Sequence, residues 1–559
     1  MRAGLVTFTA VGFLAAYQQP VPRPSSAPVV TLAVVNAAVW TGDPARPEAQ
    51  AVAIAGDRIA AVGSNDEIRR LAAAEIVDAR GQFLVPGFID SHVHFLEGGA
   101  RLASVQLRDA ATQTEFTARI GAFAKTVPAG TWITGGDWDH QLWGGELPRR
   151  DWIDAVTPNH PVWVNRLDGH MALANSAALI AAGLTRETRP VSGGEIVRDD
   201  RGDLTGLLKD NAMGLVDGKV PPASAETRDR ALDAAMRHVA AQGVTSVAHM
   251  GGWNDLDVFA RAWKAGRLRT RIYAAVPLST WQRLADTVRA KTYGANGRGD
   301  AWLGVGNLKA FVDGSLGSHT AAFEEPFTDA PADRGLFVTS PERLYEWTSA
   351  ADRAGLHVSV HAIGDRAIRT QLDIFERVAR ENGPRDRRFR IEHAQHISPP
   401  DIARFAALQV IASMQPYHAI DDGRWADKVI GPTRIETTYA FRSLLDAGAV
   451  VAFGSDWFVA PPTPLEGIYA AVTRRTLDDK NPDGWVPRQK ITVDEALRAY
   501  TRSAAVATFS ERDKGILAPG LLADLTMIDQ DLRKIPGPEI RRAKITKTIV
   551  GGKTVFGVR

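Results

Sequence analysis

The 559-residue sequence contains no cysteine. That excludes disulfides, cysteine-ligated zinc or iron–sulfur sites and thiol nucleophiles. Any metal must therefore sit on histidine, carboxylate or a modified lysine. The absence fits an oxidising compartment without requiring one. An excess of one charge is also missing: 66 Lys and Arg face 64 Asp and Glu, for a net +2. No Lys/Arg run carries interleaved aromatics, so nothing supports a nucleic-acid role. Beyond the N-terminus, no stretch is long and apolar enough for a transmembrane helix. With 45% hydrophobic residues over this length, the chain can bury a large core and build more than one domain.

Residues 1–28 read as an export signal followed by a linker. Arg2 gives the positive start, Ala3 to Ala16 is an apolar run too short to span a bilayer comfortably, and Pro20 to Pro28 is rich in Pro and Ser. Leu14-Ala15-Ala16 matches the front of a lipoprotein signal, but position 17 is Tyr rather than the cysteine that lipid attachment needs. The expected location is periplasmic or secreted, with no membrane span after signal removal. The alternative is an uncleaved segment that holds the protein to a membrane.

From Val29 to Gly63, strand-like runs alternate with turns at Asn36, Gly42-Asp43 and Gly56-Asp57. The C-terminus has the same texture, with Gly551-Gly552 as a hairpin turn between strand-like runs. The two ends, residues 29–82 and 515–559, are expected to pair into one sandwich-like β domain. Between them, residues 83–514 alternate strands with amphipathic helices such as Ser224–Gln242 and Pro341–Ala354. The strand candidates are Phe83–Ile89, Val244–His249, Arg271–Val276, Leu308–Val312, His357–His361, Phe389–His393, Val410–Met414 and Val450–Gly454. Eight such units predict an α/β fold of the (β/α)8, TIM-like barrel type. A doubly wound open sheet is the competing topology, but no Gly-rich dinucleotide loop follows the first strand. A long insertion, residues 95–243, separates the first two barrel strands. It holds Trp132, Trp138, Trp143, Trp152 and Trp163. These either build the core of a subdomain or roof a substrate pocket at the active-site face.

Five strand ends carry residues able to bind metal: His92 and His94, Lys309, His361, His393 and Asp456. With 13 His in the chain, chance alone gives about 0.3 H-x-H motifs, so no single piece is specific. The ordered set is. His92 and His94 lie two apart and share a strand face, so both can reach one metal. Lys309 is a poor ligand while protonated. Its neutral amine can take up carbon dioxide as a carbamate, which a nearby dication favours; a plain ion pair with Asp313 is the alternative. His361 and His393 each close a β-type run, with His396 near enough to substitute or support. Asp456 can touch the metal and accept a proton from its water, or simply cap the next helix.

The segments Pro86-Gly87-Phe88-Ile89-Asp90-Ser91-His92-Val93-His94, Asn175-Ser176-Ala177-Ala178-Leu179, Lys309 through Ser318, His361 through Ala367, Glu392-His393-Ala394, Gly454-Ser455-Asp456 and Pro519-Gly520 with Ala523-Asp524 resemble the amidohydrolase superfamily. The likeness is greatest to its amidohydrolase-3 branch of YtcJ-like proteins and N-substituted formamide deformylases. The resemblance implies a (β/α)8 barrel with a composite β domain and a metal centre, usually two Zn2+ ions. His92 and His94 then bind one metal with Asp456, His361 and His393 bind the other, and carboxylated Lys309 bridges them. One departure is Asp210, where many relatives carry Glu.

The expected activity is metal-dependent hydrolysis of a C–N bond in a small-molecule amide. A metal-bridging hydroxide attacks, and Asp456 shuttles the proton. Cyclic amides, esters and carbamates are alternatives, and a barrel without turnover is a remote one. Pocket candidates are Trp138, Asp139, His140, the run Arg166 to His170, Gln415, His418 and Trp457. Association into a homo-oligomer is left open.

Overall fold

The computed structural model describes residues 29–558, so the signal and linker expected over 1–28 lie outside the described residues. Eight parallel strands form the central sheet. In chain order they are β1 (Phe88–Val93), β2 (Val244–Met250), β3 (Arg271–Pro277), β4 (Leu303–Phe311), β5 (His357–Ala362), β6 (Arg390–His393), β7 (Ile411–Met414) and β8 (Val451–Phe453). Their residues are almost all buried, as expected when helices cover one face and the barrel interior fills the other. Just past the end of β8 the chain returns to β1: Asp456 N donates to the His92 carbonyl at 2.7 Å. The fold is a (β/α)8 barrel.

One strand expectation is corrected. Phe83–Ile89 is not a single barrel strand. Phe83–Pro86 pairs with Leu525–Ile528 and with Ala38 and Val39, outside the barrel. The chain turns at Gly87, where a Cβ would lie 2.3 Å from the Thr245 methyl, and only then enters β1. β4 also begins earlier than expected, at Leu303, because Gly304 and Gly306 interrupt the apolar run that marks a strand.

Outside the barrel, a six-stranded sheet combines Ala38–Trp40, Glu48–Ala49 and Phe83–Pro86 with the C-terminal Leu525–Ile528, Ile545–Val550 and Lys553–Gly557. A four-stranded sheet of N-terminal strands packs against it through Leu32, Val34, Ile54, Leu84, Met527 and Ile549. Arg271, at the base of β3, grips Asp524 with two hydrogen bonds of 2.7 and 3.0 Å, both side chains buried. A further six-stranded sheet follows β1, running from Val105–Gln106 to Leu204–Asp210 in sequence. Its core gathers Phe116, Ile120, Trp138, Ile153 and Leu173.

Candidate metal centre

The ends of β1, β4, β5, β6 and β8 bring the six expected ligand positions to one mouth of the barrel. His92 Nε2 and His94 Nε2 each lie 3.3 Å from Asp456 Oδ1, and His393 Nδ1 lies 3.9 Å from Asp456 Oδ2. Lys309 Nζ is 3.4 Å from His92 Nε2. The His361 and His393 rings are 4.5 Å apart between centroids. His92, His393 and Asp456 offer ligand atoms all within 4.8 Å of one another. His393 and Asp456 both hold positive φ angles, 72° and 60°. That conformation costs about 1–3 kcal/mol per residue and concentrates at functional sites.

Three of the imidazoles have one nitrogen already engaged. His92 Nδ1 lies 2.6 Å from Glu392 Oε2, His361 Nε2 3.0 Å from the Gly314 carbonyl, and His393 Nδ1 2.8 Å from Gln415 Oε1. An imidazole that donates through one nitrogen presents the other as a lone pair, the arrangement that orients metal-binding histidines. Burial pushes His361 and His393 well below the usual histidine range, against the pull of Asp456 on His393, so both are neutral. Asp456 Oδ1 is shielded from solvent and has no hydrogen-bond partner. Burial pushes its carboxyl up, but His92, His94 and His393 hold it well below the ordinary carboxylate value. Neutral imidazoles around an unsatisfied anionic oxygen fit a divalent cation. Burial lowers the Lys309 amine to about 8, against the pull of Glu392 and Asp456.

Several expectations need correction or refinement. Asp313 does not pair with Lys309; it accepts the amides of Ala322, Ile363 and Gly364 at 2.8, 3.0 and 2.9 Å. His396 turns away to Thr438 Oγ1 at 2.8 Å. Trp138 is fully buried in the insertion core, its indole donating to the Val164 carbonyl, and is not a pocket residue. Trp457 packs against Phe95 and stacks on His238 at 5.0 Å, behind the wall rather than in it. Gln415 is buried beneath His393, and His140 lies behind Arg166, which donates to it at 3.2 Å. None of these four faces the cavity that opens over the centre.

That cavity, about 520 Å³, is lined by His94, Lys309, His361, His393 and Asp456, and above them by the run Arg166 to His170 and by His418. Of the insertion tryptophans, Trp163 reaches it. His170 is held by Asp210, the residue that departs from the expected Glu, with Nδ1 to Oδ1 at 2.6 Å; its ring lies 4.9 Å from that of His361. Sequence reasoning gave Glu392 no role beyond membership of a motif. Its signal was its place beside His393, although the positive φ of His393 breaks the simple strand alternation that would relate the two side chains.

Residues 75–556 match the Amidohydrolase family. The chain belongs to this family, in its amidohydrolase-3 branch. It is 40% identical to Protein LONG AFTER FAR-RED 3 of Arabidopsis thaliana, over 95% of this chain and 93% of that one. It is 30% identical to an N-substituted formamide deformylase of Arthrobacter pascens, over 93% of this chain and 97% of that one. Among solved structures, an uncharacterized metal-dependent hydrolase from Pyrococcus horikoshii superposes with a TM-score of 0.73 at 27% identity, covering 91% of this chain and 99% of that one. Family membership, with the ligand-ready centre, makes this amidohydrolase a metal-dependent hydrolase.

Proposed function

We propose that this amidohydrolase cleaves the C–N bond of a small or medium-sized amide, using two divalent ions, most simply zinc. What carries the reading is the convergence of His92, His94 and His393 on Asp456, whose Oδ1 is solvent-shielded and unsatisfied, with His361 and Lys309 lining the same cavity, which is large enough for a small molecule. His92 and His94 with Asp456 would hold one ion and His361 and His393 the other. Lys309 would bridge them after its neutral amine adds carbon dioxide, forming one N–C bond and releasing one proton to solvent. The amine's lowered pKa leaves a reactive neutral fraction near neutral pH. When bound, the ions would activate water at neutral pH and polarise the scissile carbonyl.

The chain's own groups do the rest. Asp456 accepts the proton of the attacking water and returns it to the nitrogen of the departing amine. Glu392, Gln415 and the Gly314 carbonyl fix the tautomer and orientation of His92, His393 and His361. Trp163, Phe311 and Phe458 line the cavity and exclude water from the reacting carbonyl.

The test is metal content per chain for the wild type and Lys309→Ala, both purified without chelators. About two ions in the wild type, falling in the variant, is the expected result for a bridged two-metal site. One ion in both would remove the bridge. No metal, and none recovered on adding zinc and bicarbonate, would overturn the proposal. An amide panel extended to cyclic amides, esters and carbamates then fixes the bond type.

A further inference from the structure

The guanidinium groups around the cavity already have their carboxylates. Arg166 pairs with Asp168 at 2.6 Å and Asp139 at 3.2 Å. Arg424 pairs with Asp421, and reaches Asp139 at 3.4 Å. Arg101 pairs with Glu97 at 2.5 Å and Asp137 at 3.4 Å. Asp422 is different. Its Oδ2 accepts from Gln395 Nε2 at 2.8 Å and from the Tyr439 hydroxyl at 2.5 Å, both neutral donors. No Lys, Arg or His among the described residues forms an ion pair with it, and Oδ1 has no hydrogen-bond partner among them.

The position is built rather than loose. Tyr439 is fully buried and Gln395 nearly so, and both anchor the same oxygen, leaving the other free at the cavity wall. Trp425 lines the same cavity, and its amide donates to the Asp422 carbonyl at 2.9 Å. Burial and the neighbouring Asp421 push the Asp422 carboxyl up to about 7, against Tyr439, Arg166 and Arg424, so near neutral pH it is ionised only in part, and a cation meeting its free oxygen would favour the anion. A carboxylate oxygen receives an ammonium by a charge-assisted hydrogen bond, and Trp425 in the same cavity wall offers apolar surface for the alkyl stem that carries it.

We infer that Asp422 and Trp425 form a cation-accepting subsite of the catalytic cavity, and that the natural substrate is an amide bearing an alkylammonium or guanidinium group. This rests on the hydrolytic reading of the same cavity. Asp422 acts on specificity: it binds the remote end of the substrate and takes no part in bond cleavage.

The probes are an isosteric pair, N-formyl-1,5-diaminopentane and N-hexylformamide, which differ by an ammonium in place of a methyl. Their dissociation constants are measured by calorimetry on the metal-loaded protein, for the wild type, Asp422→Asn and the charge-retaining Asp422→Glu. Turnover of both probes is followed separately. The wild type is expected to bind the ammonium probe at least about tenfold more tightly, Asp422→Asn to lose that preference, and Asp422→Glu to keep part of it. Equal binding of the two probes by the wild type, or a preference that survives in Asp422→Asn, would overturn the subsite. Preferential binding of the ammonium probe with neither probe hydrolysed would count against the hydrolytic reading and not against the subsite.

Discussion

His92 Nδ1 lies 2.6 Å from Glu392 Oε2, with neither side chain exposed to solvent. Arg390 holds the same carboxylate from the other side, its Nε 2.7 Å from Oε1. Burial pushes the Glu392 carboxyl up, but Arg390 and His92 keep it far below the usual carboxylate range. Glu392 is therefore a permanent anion that fixes which nitrogen of His92 faces the centre.

Glu392→Gln should weaken metal binding about 10–100-fold, the usual cost of losing an outer partner of a ligating histidine. Chelator competition reads this directly. The unfolding midpoint should fall as well, since Arg390 loses its buried counter-charge. Unchanged metal affinity would show that Glu392 serves the fold alone.

Asp456→Asn, compared with the wild type at equal metal content, should lower kcat at least about a hundredfold. Full turnover in a metal-loaded variant would remove Asp456 as the proton carrier. It would leave the question of which nearby group, His170 or His418, does that work.

Gly98→Ala should be destabilising although it adds one methyl. A Cβ at this position would lie 2.5 Å from the Trp457 ring. Overpacking of this kind costs about 1–3 kcal/mol. The Trp457 carbonyl accepts the His94 amide at 2.7 Å, so movement of Trp457 reaches the centre. Thermal midpoint and metal content should fall together; a drop in the first alone would show that the contact ends at the helix Phe95–Arg101, which carries Gly98.

Arg271→Met leaves Asp524 buried without a counter-charge and should cost about 3–5 kcal/mol in denaturant unfolding. The double variant Arg271→Met/Asp524→Leu should be more stable than Arg271→Met alone. If the two changes simply add, the pair does not act as a unit.

Much of the barrel was legible because its strands are buried on both faces and read as apolar runs between helical stretches. β5, β6 and β7 match their sequence limits to within a residue. The errors have physical causes. Phe83–Ile89 reads as one run because neither the pairing partner Leu525–Ile528 nor the contact of Gly87 with Thr245 is visible in a local window. The candidate ligands were found because strand ends place them, and order along the chain then encodes position around the mouth. The pocket wall was harder. Trp138 and Trp163 lie on neighbouring strands of the insertion, yet one is core and the other lines the cavity. Side-chain direction there depends on which face of that sheet the barrel covers, which no periodicity records. Asp422 and Trp425 carried no motif at all; only their exposure to the cavity and the neutral partners of Asp422 distinguish them.

The pairing of Phe83–Pro86 with Leu525–Ile528 also sets an order of events during synthesis. A nascent chain holds every candidate ligand, from His92 to Asp456, before the strand that flanks the root of β1 has been made. Contacts so distant in sequence form slowly. The mouth of the barrel can gather early, but the strand at the base of β1, paired with Ala38 and Val39 on one side, gains its second neighbour only when the final strands arrive. A truncation before Leu525 would delete no ligand and would still unsettle the centre.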